Sequence, residues 1–230
     1  MRTNALNIKR SIAGIAGIAL LAIPLTACGS EDDTTSSSSS SSSSSESSAK
    51  PQAVAAIDAL EGQDTRIALD KGFTDALTAL ELTPGVVGDA KLEGGSLIFP
   101  ITGGNVSVFE PDEVDPYVIG QIQHEGSGLS LTAGDTTVEL TNFNVDPGVS
   151  RVYGDVTVNG KVAVTSAFLF QLDGRTLEPL QTEGSTAILE GTQVKISPVA
   201  APLLNETFGT DKVTLDLLVG IAKITVDVPA

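Results

Sequence analysis

"GDVTVNGKVAV", residues 154–164, contains the fold in miniature. Val156 and Val158 fall on one face of an extended chain and Asp155 and Thr157 on the other, and Asn159-Gly160 separates this run from "KVAV". Period-two alternation marks a half-buried strand. Asn-Gly is the pair that most readily enters a type I′ turn, because both central residues of that turn need positive φ. The stretch predicts a β-hairpin.

Working outward, the same period recurs. Val152, Gly154, Val156 and Val158 alternate with Arg151, Tyr153, Asp155 and Thr157, and Val138 and Leu140 alternate with Thr137, Glu139 and Thr141. Val213, Leu215, Leu217, Val219 and Ile221 form another such row, repeated by Ile224, Val226 and Val228. Turn signals stand between the runs at Thr102-Gly103-Gly104-Asn105, Ala133-Gly134-Asp135, Asp146-Pro147-Gly148 and Asp173-Gly174. Short one-sided strands at this spacing predict a mainly β fold: an antiparallel β-sandwich or barrel-like domain with an N-terminal helix and a short helix in the C-terminal half. For the first helix, Leu69, Phe73, Ala76, Leu77 and Leu80 form an apolar stripe that predicts a helix over 66–80, ended by Thr83-Pro84-Gly85, with a shorter one over 53–60. The second runs from Pro198 to Phe208, with Ser197 as N-cap and Val199, Leu203, Leu204 and Phe208 as the stripe that covers a sheet end.

The N-terminal fifty residues read differently. "MRTNALNIKRSIAGIAGIALLAIPLTAC" has a basic start at Arg2, Lys9 and Arg10, then an apolar run of about 14 residues from Ile12 to Leu25, too short for a membrane-spanning helix. It predicts a secretory signal peptide over 1–27. Leu25-Thr26-Ala27-Cys28 resembles a bacterial lipobox, which implies cleavage between Ala27 and Cys28 and acylation of the Cys28 thiol. Acyl chains at roughly 0.8 kcal/mol per buried CH₂ anchor a protein without a span. Residues 28–50, with ten consecutive serines from Ser36 to Ser45, cannot bury apolar surface and predict a disordered tether. Residues 51–90 are then the helical N-terminal part of the domain and 91–230 the antiparallel β part.

Formal net charge is −16, and loss of the three basic residues of the signal leaves 10 basic against 29 acidic, a net −19. Such a surface repels phosphate backbones, which argues against nucleic-acid partners. Cys28 is the only cysteine, so neither an intrachain disulfide nor a cysteine metal site is available. His124 is the only histidine and thus the only imidazole base; no Gly-x-Ser-x-Gly elbow accompanies it, and no enzymatic activity is expected. "LEGGSLIF" (92–99) and "ITGGNVSVF" (101–109) run strand to strand, so both read as hairpin turns and not as phosphate loops. "FEPDEVDPY" (109–117) gathers Glu110, Asp112, Glu113 and Asp115, hard oxygen donors that suit Ca²⁺ in an adhesion module, although the EF-hand pattern is missing. His124 lies in "GQIQHEGSGLSL" (120–131), read as a strand, a glycine turn and a second strand, with the imidazole at the bend facing the side of Val118 and Ile122.

The stretches "PYVIGQIQHEGSGLSL", "VELTNFNVDPG", "GDVTVNG", "AFLFQLDG" and "GTQVKISPVAAPLLNETFG" resemble exported bacterial domains, and among them the Htaa-type haem-binding surface domains, over about residues 95 to 210. That family has a His-x-Gly-x-Leu stretch opening a strand series, beside which this chain has His124-Glu125-Gly126-Ser127-Gly128-Leu129, and an Ala-rich segment ending in Phe-Gly, as Phe208-Gly209 does here. The resemblance implies haem held by a tyrosine. The family's ligand lies in an N-terminal segment with a Trp-Gly pair; this chain has no Trp, and Tyr117 is its nearest candidate, with His124 as a hydrogen-bonding helper. The expected function is a lipid-anchored lipoprotein of the cell envelope that presents its extracytoplasmic β domain as a binding or structural module, with a haem-binding domain and a Ca²⁺-stabilised adhesion module as alternatives. Its expected partners are the membrane, through the N-terminal lipid, and an envelope protein or small ligand.

Overall fold

The computed structural model describes residues 50–228. The signal peptide, Ala27, Cys28 and all of the tether but Lys50 lie outside the described residues.

The strands are β1 (Ala55–Ile57), β2 (Asp64–Leu69), β3 (Thr83–Gly88), β4 (Lys91–Glu93), β5 (Ser96–Pro100), β6 (Gly103–Val108), β7 (Val118–Ala133), β8 (Thr136–Asp146), β9 (Arg151–Val158), β10 (Lys161–Asp173), β11 (Gln181–Glu183), β12 (Thr186–Ile196) and β13 (Leu218–Asp227). The helices are α1 (Lys71–Ala79) and α2 (Ala200–Phe208). All strands join one antiparallel 13-stranded sheet in the order β1-β6-β7-β8-β9-β10-β12-β13-β2-β5-β4, with β11 on β12 and β3 on β7. The barrel-like form of the expectation is therefore the one adopted: one curled sheet, not two facing ones. The curl follows from the β5–β6 corner. Only Ile101 and Thr102 separate the two strands, and their N–H groups donate to Gln63 O on the β2 side and Gln123 O on the β7 side. One continuous stretch thus pairs with β2 by its first half and with β7 by its second, which brings distant parts of the strand order together.

The Asn159-Gly160 hairpin forms as predicted, with φ of 49° and 75°. The helix predicted over 53–60 is instead β1, paired with β6 and burying Ile57. Eight residues are marginal as an isolated helix in water, whereas pairing with β6 gives Ala55–Ile57 backbone partners and buries Ile57. The helix predicted over 66–80 begins only at Lys71: residues 64–69 are β2, held between β13 and β5, with Thr65 and Ile67 buried and Arg66 outside. Asp70 marks the change, its side chain accepting from Gly72 N as N-cap. Residues 51–90 thus hold three strands and one helix rather than a helical subregion.

Gly94-Gly95 is the hairpin between β4 and β5, but Gly103-Gly104 is not a turn; both lie inside β6. At Gly104 a Cβ would stand 2.0 Å from Gln121 O, so glycine here permits close strand approach. Residues 213–217 form no strand, and the two rows predicted there merge into β13 alone. α2 starts two residues after Pro198; Ser197 Oγ accepts from Val199 N and Ala200 N and donates to Phe168 O, so it caps the approach to the helix and ties it to β10. The face it buries is Ala200, Ala201 and Leu204, while Val199 is exposed. Phe73 and Leu77 of α1 and Leu204 of α2 pack on Leu129, Leu131 and Leu140 of the sheet, leaving a gap of only about 20 Å³.

Candidate functional site

Inside the curl lies a far larger space, a cavity of about 750 Å³ that shares only Leu129 and Phe170 with the lining of the helix-covered gap. Its walls are the inward-facing positions of β2, β5, β7, β8, β9, β10, β12 and β13, and most are aliphatic: Ile67, Leu97, Ile122, Val145, Val152, Leu189, Val194 and Ile224 among them. Four aromatic rings run along one wall. Phe99 meets the His124 imidazole edge to face at 6.3 Å between centroids, Phe143 at 5.2 Å, and Phe143 meets Phe170 at 6.0 Å.

His124 is 1 % exposed. "GQIQHEGSGLSL" is one strand and not two: β7 runs on to Ala133 and absorbs the glycines as a bulge between His124 and Gly128. The bulged backbone is satisfied locally, Glu125 N donating to Thr102 Oγ1 and Gly126 N to Asn142 Oδ1. His124 Nδ1 lies 3.3 Å from Phe143 O and Nε2 lies 2.8 Å from Thr65 Oγ1. A carbonyl only accepts, so Nδ1 carries the hydrogen and Nε2 accepts the Thr65 hydroxyl proton. Burial pushes the imidazole pKa down to about 4, against a smaller opposing effect of the Phe143 carbonyl, and the ring is neutral at pH 7. This side chain joins β7 directly to β2, strands that in the sheet order are separated by β8, β9, β10, β12 and β13.

Tyr117 lines the same cavity, half-buried just before β7. Burial raises its pKa and favours the phenol over the phenolate. The structure thus brings Tyr117 and His124 to one cavity, but the helper role expected for His124 is taken up elsewhere, since both its nitrogens already have partners. Glu110, Asp112, Glu113 and Asp115 are all exposed, and among the described residues no three His, Cys, Asp or Glu side chains converge as a metal site.

The rim of the cavity carries residues that the sequence did not single out. Asp173 ends β10 and accepts from Arg175 through both guanidinium arms (Nε and Nη2, each 2.8 Å) and from Lys195 Nζ at 3.2 Å. The Arg175 hydrogen bonds hold the Asp173 carboxyl well below the usual carboxylate range, burial opposing and Lys195 adding to the effect. Asp173-Gly174 reads as a turn in sequence, and Lys195 lies 22 residues beyond Asp173; only the β10–β12 pairing brings them together.

No protein-family model and no curated protein matches the chain. Among solved structures, the C-terminal domain of HtaA from Corynebacterium glutamicum is similar at TM-score 0.52 and 12% identity, over 74% of this chain and 98% of that one. A domain-swapped dimer of a variant of the same domain gives TM-score 0.44 at 12% identity, over 68% and 90% of the two chains. The N-terminal domain of HtaA gives TM-score 0.43 at 9% identity, over 74% and 99%. This chain shares its fold with the C-terminal domain of HtaA.

Proposed function

We propose that this chain is a lipid-anchored envelope protein whose β domain is a binding module, not an enzyme, and that its ligand is a bulky, mostly apolar molecule enclosed by the curled sheet. The observation that carries the reading is the cavity of about 750 Å³ with largely aliphatic and aromatic walls. Protein interiors are close-packed, with few voids larger than a water molecule. Ligand sites, by contrast, occupy roughly 300–1,000 Å³ and are apolar with a few polar groups. The lipobox and Ser-rich stretch support the anchored setting. Titration with the neutral dye Nile red should give a saturable blue-shifted emission, abolished by Ala222→Phe, which projects a ring from the cavity wall. A dye that binds wild type and the filled variant alike would remove the cavity from the account.

Haem is the second reading, favoured by Tyr117 and His124 lining one cavity and by the Htaa-type resemblance. The volume, the apolar walls and the Tyr117 phenol fit a tetrapyrrole, with Tyr117 as its one ligand and His124 reserved for Thr65 and Phe143. Haemin should then produce a Soret band that is lost in Tyr117→Phe; a band indifferent to that substitution, or none, dismisses haem while leaving the cavity reading intact.

A further inference from the structure

Resting on the reading of the cavity as a ligand site, we propose that its ligand is an amphiphile with a single carboxylate, the apolar body inside and the head group on Lys195 and Arg175 at the rim. Three observations converge. First, two cations share one anion: Arg175 commits both arms to Asp173, and Lys195 contacts that carboxylate through one of its three N–H donors. The cluster therefore carries one unmatched positive charge, and it does so in a chain with only 13 basic residues and a net charge of −16.

Second, the position is that of a head-group site. The Lys195 side chain is 24 % exposed and Arg175 is 88 % exposed, so the pair spans the step from wall to solvent. Lys195, Arg175 and Asp173 themselves line the cavity beside the apolar Val194 and Leu172, so the Lys195 charge stands at the edge of the apolar surface. Third, the remaining acids on the lining, Asp115 and Asp216, are exposed, and neither pairs with these cations. Lys195 retains hydrogens to donate, and one surplus positive charge matches a carboxylate better than a doubly charged phosphate. An anion placed there bridges Lys195 Nζ and the Nη1 group of Arg175, which Asp173 does not engage, without displacing Asp173.

Calorimetric titration of the protein with palmitate, and with the alcohol of the same chain length, tests this. Palmitate should bind at least about tenfold more tightly than the alcohol, the value of one charge-assisted hydrogen bond. Lys195→Met, which keeps the apolar stem, should remove that advantage and leave alcohol and Nile red binding unchanged; Lys195→Arg should restore it. Equal affinity for acid and alcohol, or palmitate binding untouched by Lys195→Met, overturns the assignment. Nile red binding without palmitate binding overturns only the carboxylate, whereas failure of both overturns the cavity reading beneath it.

Discussion

The two ends of the curled sheet are built from the same alternating strands yet differ sharply in filling. Under α1 and α2, Phe73, Leu77 and Leu204 press into Leu129, Leu131 and Leu140 and leave about 20 Å³; beyond them, with no helix to supply side chains, about 750 Å³ stays open. A strand provides only every second side chain to the interior, so a wide curl needs inserted matter to close it. At one end that matter is helical. At the other it is absent, and there the lone imidazole, the half-buried tyrosine and the shared Asp173 carboxylate collect. The difference marks which end is structural and which is available to a ligand.

The sharpest way to break this comparison is to truncate one residue at each end. Leu140→Ala, at a position 2 % exposed in the filled end, should cost about 3 kcal/mol, since lost burial and a new void add. Val152→Ala, on the cavity wall, should cost only about 1 kcal/mol, because that side chain already lacks contacts on one side. Urea denaturation of both variants gives the two values, and equal costs would mean that the cavity end is packed in solution.

Next in size is the pH response of His124. The folded protein holds the ring neutral down to about pH 4, while the unfolded chain takes up a proton near the ordinary imidazole value of about 6.5. Stability is therefore complete above about pH 6.5, falls as pH drops toward 4, and loses about 3 kcal/mol over that window. His124→Gln should flatten this part of the stability profile relative to wild type. Parallel profiles would show that the ring is solvated and that the β7–β2 link is open.

Ser197→Ala, at the junction of β12 and α2, should cost about 1–2 kcal/mol, since it deprives two backbone N–H groups of their acceptor at a fully buried site. The smallest effect belongs to Lys71→Ala. Its pairing with Asp75 is one helical turn long and well exposed, so its loss should shift the midpoint by a few tenths of a kcal/mol at most. A larger shift would mean that α1 is held by its surface as well as by Phe73 and Leu77.

Local chemistry was legible where neighbours in sequence are also neighbours in space. Asn159-Gly160 made its hairpin because both residues tolerate positive φ, and Ser197 announced α2 because a hydroxyl there meets the next free N–H groups. The reading failed where two local patterns coexist. Leu69, Phe73 and Leu77 repeat every four residues, while Thr65, Ile67 and Leu69 repeat every two; pairing with β5 and β13 decided for a strand up to Leu69. The glycines after His124 failed for a related reason, because Thr102 and Asn142, distant in sequence, satisfy the bulge and let the strand continue.

By itself, then, the sequence determined a mainly β chain with a helix in each half, an acidic surface and one histidine that could act only with borrowed partners. The tertiary structure decided what those partners are. It paired His124 with Thr65, 59 residues away, brought Arg175 and Lys195 to one carboxylate, and left the interior of the curl unfilled. Periodicity reports which face of a strand turns inward, but an empty volume is set by the distance between faces, and that distance is fixed only when all the strands have paired.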